Sequence, residues 1–265
     1  MDNLKLIDGV KLSEKDISDY LKTKMLGSPL YFFDEVTSTF DKISEYPRIE
    51  GLTVVAKAQT KGRGRLGRSW TSSSGGIYFS FNLTPDVSPQ EATFATITCA
   101  LGVVKALKKY CDCAIKWPND IVLNGKKICG ILTTMGAAEN KLEYICVGIG
   151  INVNIDSFDS SLPYASSIKL ETNTIHNEND VFSCVLESIE DVYTTYTKEE
   201  VLKQYCENCI TKGSMVTVHY TDGRDDLEGE CIGITQNGSL VVRSGEKTIT
   251  VSSGEVSVRG MYGYV

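Results

Sequence analysis

The chain has 265 residues, 42% of them hydrophobic, with 27 Lys and Arg against 34 Asp and Glu and a formal net charge of -7. That length holds one large core or a main domain with a smaller companion, and the acidic balance argues against a dedicated nucleic-acid binder. Nine cysteines form an odd, scattered set; with no secretory leader and no run of membrane-spanning length, the expectation is reduced thiols in a cytoplasmic chain that does not enter a membrane.

Ser13-Glu14-Lys15-Asp16 has the form of a helix cap, and Ile17, Tyr20, Leu21 and Met25 follow at helical spacing until Gly27-Ser28-Pro29. Residues 30–33 (Leu-Tyr-Phe-Phe) predict a strand that runs into Thr37-Ser38-Thr39, where a second helix starts. The strand 53–58 delivers a basic loop, and residues 77–81 form the next strand. Helical periodicity is clearest over 92–110, with Phe94, Ile97, Leu101, Val104 and Leu107 on one face. A strand at 114–117 stops at Pro118-Asn119-Asp120. The turn Asn124-Gly125 then joins 121–123 to 128–134 as a hairpin. Residues 144–153 predict a buried strand and 180–209 a helix. Beyond Thr211-Lys212-Gly213 come short strands punctuated by Asp222-Gly223, Asn237-Gly238 and Ser253-Gly254, a pattern that suggests a small β-barrel of SH3-like size.

Chemistry concentrates in Lys61-Gly62-Arg63-Gly64-Arg65-Leu66-Gly67-Arg68-Ser69-Trp70. No Asp or Glu occurs from Gly51 to Pro85, so Lys57, Lys61, Arg63, Arg65 and Arg68 face no local counter-charge. Glycine lets backbone N–H groups approach an anion, arginine forks onto phosphate or carboxylate oxygens, and Trp70 offers a flat face to an aromatic base. An exposed flexible loop or a non-specific nucleic-acid contact would show the same composition. Gly62-x-Gly64-x-x-Gly67 matches the dinucleotide fingerprint by letter but leads into a strand rather than a helix, and no P-loop Gly-Lys-Ser/Thr is present. His176 and His219 lie in polar surroundings and are expected at the surface, so a Ser-His-Asp or Cys-His hydrolase is disfavoured. Cys206-x-x-Cys209 lacks a partner pair and is expected to hold ordinary thiols, as is Cys111-x-Cys113.

Five motifs then line up in order: Glu35-Val-Thr-Ser-Thr39, Gln59 to Trp70, Lys116-Trp-Pro-Asn-Asp120, Lys127-Ile-Cys-Gly-Ile-Leu132 and Gly148-Ile-Gly-Ile-Asn152. Together they closely resemble the biotin protein ligases (biotin–[acetyl-CoA-carboxylase] ligases), over nearly the whole chain. The resemblance implies an α+β fold: a mixed-sheet biotin/lipoate ligase-like catalytic domain over 30–211, preceded by an N-terminal helix and linker over 1–29. A C-terminal SH3-like β-barrel follows over 212–265. It implies that biotin and MgATP give biotinyl-5′-AMP and pyrophosphate, and that the adenylate then acylates one lysine of a biotin carrier domain of a carboxylase. Lipoate or octanoate ligation on the same fold, and a non-catalytic sensing or nucleic-acid-binding module, are the alternatives.

By the resemblance, Lys116 bridges the biotin carboxylate and the α-phosphate, and Arg65 contributes to catalysis while contacting both ligands. Ser38, Thr39, Gln59, Arg63 and Gly64 contact biotin, and Gly130 lines the pocket by its backbone. Arg65, Arg68, Trp70 and Asn152 hold the adenylate, with Asn152 at its phosphate region and Trp70 on adenine; Arg259 is a further candidate for ATP. Biotin's carboxylate is already ionised at neutral pH, so adenylation needs charge neutralisation rather than a general base. Burying the four-methylene tail is worth about 3 kcal/mol, but lipoate gains as much, so selectivity rests on polar partners for the ureido group. Phe40 is counted with the biotin-binding residues, although it stands where the family commonly has Asn, an apolar change at the pocket edge. The stretch before Ser38 is too short for the winged helix-turn-helix of bifunctional members, so no DNA binding is expected. An edge strand leaves a homodimer open, and the sequence singles out no Mg²⁺ ligands.

Overall fold

The computed structural model describes residues 11–88, 92–138, 141–253 and 256–260. Its main sheet begins with β1 (Leu30–Val36), which pairs in parallel with β2 (Thr53–Arg63). The other strand pairs of this sheet are antiparallel among the described residues. Short β3 (Ser69–Ser72) folds back on β2, and β4 (Gly76–Leu83) lies on the other side of β2. The hairpins β5 (Ala114–Lys116) with β6 (Asp120–Leu123) and β7 (Lys126–Ala138) with β8 (Lys141–Asn152) complete the order β1-β2-β4-β8-β7-β6-β5.

Side chains alternate across a strand, so this sheet has two distinct faces. Ile77, Phe79, Phe81 and Leu83 of β4 join Val147, Ile149 and Ile151 of β8 in the core. Two long helices cover that face: α3 (Ala92–Leu107), which carries the expected Ile97, Leu101 and Val104 stripe, and α5 (Glu178–Thr195), with Phe182, Val185, Leu186 and Ile189. The short helices α1 (Glu14–Tyr20), α2 (Thr39–Lys42), α4 (Ile168–Thr172) and α6 (Lys198–Asn208) fill the periphery. Leu12, just before α1, and Ile17 within it are fully buried in the same core, and Glu178 of α5 accepts the Leu12 N–H at 2.9 Å. The opposite face, bearing Ser80, Gly130, Gly148 and Gly150, holds the cavity described below.

The predicted single helix over 180–209 is two. α5 ends at Thr195, and Thr197 caps α6 through a reciprocal box with Glu200, whose carboxylate accepts the Thr197 N–H at 2.9 Å. Apolar periodicity continues across the break and hides it, although Thr197-x-x-Glu200 is a start signal.

The C-terminal domain is a five-stranded antiparallel sheet. Its strands are β9 (Met215–Tyr220), β10 (Leu227–Ile234), β11 (Leu240–Ser244), β12 (Lys247–Val251) and β13 (Val256–Gly260), ordered β12-β11-β10-β9-β13. It buries Val216, Val218, Cys231, Val242 and Val258. Trp117, only 1% exposed, ties it to the main domain by donating Nε1–H to the Gly238 carbonyl at 2.9 Å. Among the described residues no helix is long and apolar enough to cross a membrane.

A Cβ at Gly102 of α3 would lie 2.7 Å from the Ile189 Cα of α5, which fixes how closely these helices pack. Gly102→Val should lower the unfolding free energy by about 2 kcal/mol, because backbone must move to admit the side chain. Urea denaturation measures this; an unchanged midpoint would contradict it.

Candidate active site

The floor of the site is a patch of sheet without side chains. Gly130 of β7 pairs directly with Gly150 of β8, and Gly148 pairs with Ser80 and Leu132 on its two sides. A Cβ at Gly150 would come within 2.4 Å of Trp70 Nε1, and one at Gly130 within 2.8 Å of the same indole. At Gly148 it would meet the Phe40 ring at 2.8 Å. Two aromatic rings therefore pack so close to the backbone that a β-carbon would clash with them, an approach that glycine permits.

A cavity of about 160 Å³ opens over this floor, lined by Ser38, Thr39, Phe40, Gln59, Arg63, Gly64, Arg65, Arg68, Trp70, Lys116, Asp120, Lys127 and Gly130. A second, of about 350 Å³, adjoins it along Ser69, Trp70 and Lys127 and is walled by Asn152, Phe158, Leu162 and Tyr164. All the residues expected to contact biotin line the first cavity, and Asn152 falls in the second.

One end of the first cavity is a hydroxyl and amide network. The Thr39 N–H donates to Gln59 Oε1 at 2.8 Å, Thr39 Oγ1 lies 2.9 Å from Ser80 Oγ, and Gln59 Nε2 donates to Ser72 Oγ at 2.8 Å. Ser38 occupies the N-cap position of α2 but makes no side-chain cap bond; its Oγ is buried with no partner among the described residues. A buried hydroxyl without a partner is costly, so it is poised for a ligand.

Cations line the rest of the cavity, and of the five in the basic loop two are neutralised by residues outside it. Lys57 pairs with Asp34 at 2.8 Å and Arg63 with Asp41 at 2.6 Å; the absence of acids from the local sequence hid both. Arg65 donates to Asn119 Oδ1 at 3.1 Å and to the main-chain carbonyls of Ser253 and Val256 in the C-terminal domain. Lys116, only 5% exposed, donates to the Val258 carbonyl at 2.9 Å. Lys127 is the cation at the junction of the cavities: its ammonium lies 2.6 Å from Asp120 Oδ1 and 5.1 Å from the Trp70 ring centroid.

Lys127, Asn119 and Asp120 stand inside motifs that the sequence reading picked out without giving these three a role. The signal available for Lys127 was its place three residues before a pocket glycine. Ser257 and Val258 also line the first cavity, a contribution from the C-terminal domain with no local signature. The side chain of Arg259 lies outside the described residues. His176 departs from the expected surface position: it packs edge-on against Tyr110 at 5.3 Å, its Nε2 is buried, and burial holds its pKa below the ordinary value. His219 pairs with Asp226 at 2.7 Å. All nine cysteines are free, and burial pushes Cys99 and Cys146 up to about 12, inert at neutral pH. Among the described residues no group of three or more His, Cys, Asp or Glu could hold a metal ion.

Residues 31–152 match the Biotin/lipoate A/B protein ligase family, and 211–259 match the Biotin protein ligase C terminal domain. The Bifunctional ligase/repressor BirA of Bacillus spizizenii is 32% identical over 263 residues, spanning 94% of this chain and 79% of that protein. The Biotin–[acetyl-CoA-carboxylase] ligase of Mycobacterium tuberculosis is 28% identical over 217 residues, 78% of this chain and 79% of its own length. Among solved structures, the biotin protein ligase of Aquifex aeolicus in complex with biotin and ATP superposes with a TM-score of 0.75 at 29% identity, covering 87% of this chain and 98% of that one.

Trp70 and Trp117 are the two tryptophans, which makes the glycine floor testable by fluorescence. Gly150→Ala should expel the Trp70 indole and shift emission to the red with stronger acrylamide quenching. Emission identical to the parent would show that the ring does not rest on Gly150.

Proposed function

The chain belongs to the biotin protein ligase family, and from that premise we propose how its adjoining cavities divide the work of an ATP-dependent, AMP-forming ligase. Such an enzyme joins biotin to ATP as biotinyl-5′-AMP, releasing pyrophosphate, and then passes biotin to a protein lysine. The observation that carries the residue assignment is Lys127, an ammonium shared by both cavities.

Biotin enters the first cavity with its ureido group at the hydroxyl end. Ser38 Oγ, buried and without a partner, supplies the missing hydrogen bond, with Thr39, Gln59 and the backbone of Arg63 and Gly64 beside it. Lipoate has no ureido group and leaves those atoms unsatisfied, which costs more than its tail gains. Phe40, seated on Gly148, gives an apolar wall in place of a polar contact.

The nucleotide base takes the second cavity. Trp70 stacks on it, and the partnerless Asn152 Oδ1 accepts from an exocyclic amine, which adenine carries at the position where guanine carries a carbonyl. This moves Asn152 from the phosphate region, where the resemblance put it, to the base. The α-phosphate then falls at the junction, beside Lys127.

The biotin carboxylate attacks the α-phosphorus as the anion it already is, with no proton to remove. Lys127 neutralises the approach of the two anions and the charge that grows between them, with Arg65 and Arg68 on the same wall. Lys116 stands on that wall too, but of these two cavities it lines only the first, so the bridging role is given to Lys127, which lines both. Asp120 is the carboxylate on the cavity lining, a donor set that suits Mg²⁺ arriving on the triphosphate with most of its water rather than a protein-held ion. So bound, Mg²⁺ would supply charge neutralisation to the departing pyrophosphate, with Asp120 its protein ligand. The acceptor is the carrier domain of a carboxylase, and the reaction is cytoplasmic.

Biotin-dependent ATP–pyrophosphate exchange tests the assignment. Lys127→Ala should slow exchange by about a hundredfold or more, the usual loss when one preorganised charge partner is removed, while biotin still binds. Parental exchange rates in this variant would sink the role given to Lys127.

A further inference from the structure

Strand β13 is an edge of its sheet, bonded on one side to β9 through Val256↔Tyr220 and Val258↔Val218. In an antiparallel edge strand, alternate residues turn their carbonyls to the open side. Here that open side faces the active site. The Val258 carbonyl accepts from Lys116 Nζ at 2.9 Å, and the Val256 carbonyl accepts from Arg65 Nη2 at 3.3 Å. The Ser253 carbonyl, just before the strand, accepts from the same guanidinium. Asn119 Oδ1 takes the other arm of the Arg65 fork at 3.1 Å, while Asn119 Nδ2 donates to the Ile131 carbonyl at 2.6 Å and so anchors to β7.

We propose that the open edge of β13 positions Lys116 and Arg65 as a preorganised cationic wall, so that docking of the C-terminal domain and binding of the nucleotide are coupled. The inference rests on the function proposed above and adds a role for Lys116 as a positioning residue. Lys116 is buried, so removing the carbonyl would cost it a charge-assisted hydrogen bond in a place where water does not replace it. Edge carbonyls suit this task because they hold a cation without cancelling its charge, as a carboxylate would. Coupling of this kind is reciprocal: if the docked domain raises nucleotide affinity, the nucleotide must tighten the docked domain by the same factor. The Trp117–Gly238 bond is a third anchor of the same seam, made by a neutral group.

Hydrogen exchange of residues 252–260, followed without ligand, tests the seam alone. Lys116→Met should speed it by roughly ten- to a hundredfold, the range for losing one hydrogen bond to a charged group, and Lys116→Arg should restore part of the protection. In pyrophosphate exchange, Lys116→Met should raise the KM for ATP several-fold. Trp117→Phe, which loosens the seam without touching a cation, should raise the ATP KM in the same direction. Addition of biotin and MgATP without acceptor should slow exchange of 252–260 in the parent chain. Unchanged exchange in Lys116→Met, or faster exchange with an unmoved ATP KM in both variants, would overturn the proposal. A parent chain with no biotin-dependent pyrophosphate exchange would instead overturn the functional reading, and the ligand-free arm tells the two failures apart.

Discussion

The site depends on the cross-strand pair Gly130 and Gly150, where two adjacent strands of a central sheet both lack a β-carbon. Strand interiors disfavour glycine, since it gives up more backbone entropy and packs nothing. Here the absent side chains make room for the Trp70 indole against the backbone, with Phe40 seated likewise on Gly148. The indole then separates one cavity into two, and Lys127 sits at the partition. An aromatic base and a carboxylate tail can thus be held on either side of a single ammonium.

Charge rather than proton transfer organises the chemistry. A carboxylate and a triphosphate repel each other, and no histidine stands near either cavity among the described residues. The chain meets this with cations whose positions are fixed by different partners: Arg63 by Asp41, Lys127 by Asp120, Arg65 by an amide and main-chain carbonyls, Lys116 by a carbonyl. Carboxylate partners lower the net field, whereas carbonyl partners keep it. The two cations held by carbonyls are those that bind across the domain seam.

Much of the fold was legible because its signals are local. The stripe along α3, the Asn124-Gly125 hairpin and the change of texture after Gly213 need only neighbouring residues to be read. The helix break at Thr197 was equally local and was masked by apolar residues on both sides of it. The site was legible as a set of motifs, and the cavity gathers Ser38, Thr39, Gln59, Arg65, Lys116 and Gly130 as expected. What no motif disclosed was which lysine points where. Lys116 and Lys127 both sit in motifs, and the choice between them turns on the cavities they line, Lys116 the first of the two and Lys127 both. Burial of His176 against Tyr110, the salt bridges of Lys57 and Arg63, and the register that sets Gly130 opposite Gly150 are likewise tertiary facts.

The central claim is that these cavities activate biotin with ATP. ATP–pyrophosphate exchange with the purified chain, comparing biotin with lipoate at matched concentrations, tests it most directly. The account predicts exchange that requires biotin and is not supported by lipoate; exchange with lipoate alone, or none with either acid, would contradict it.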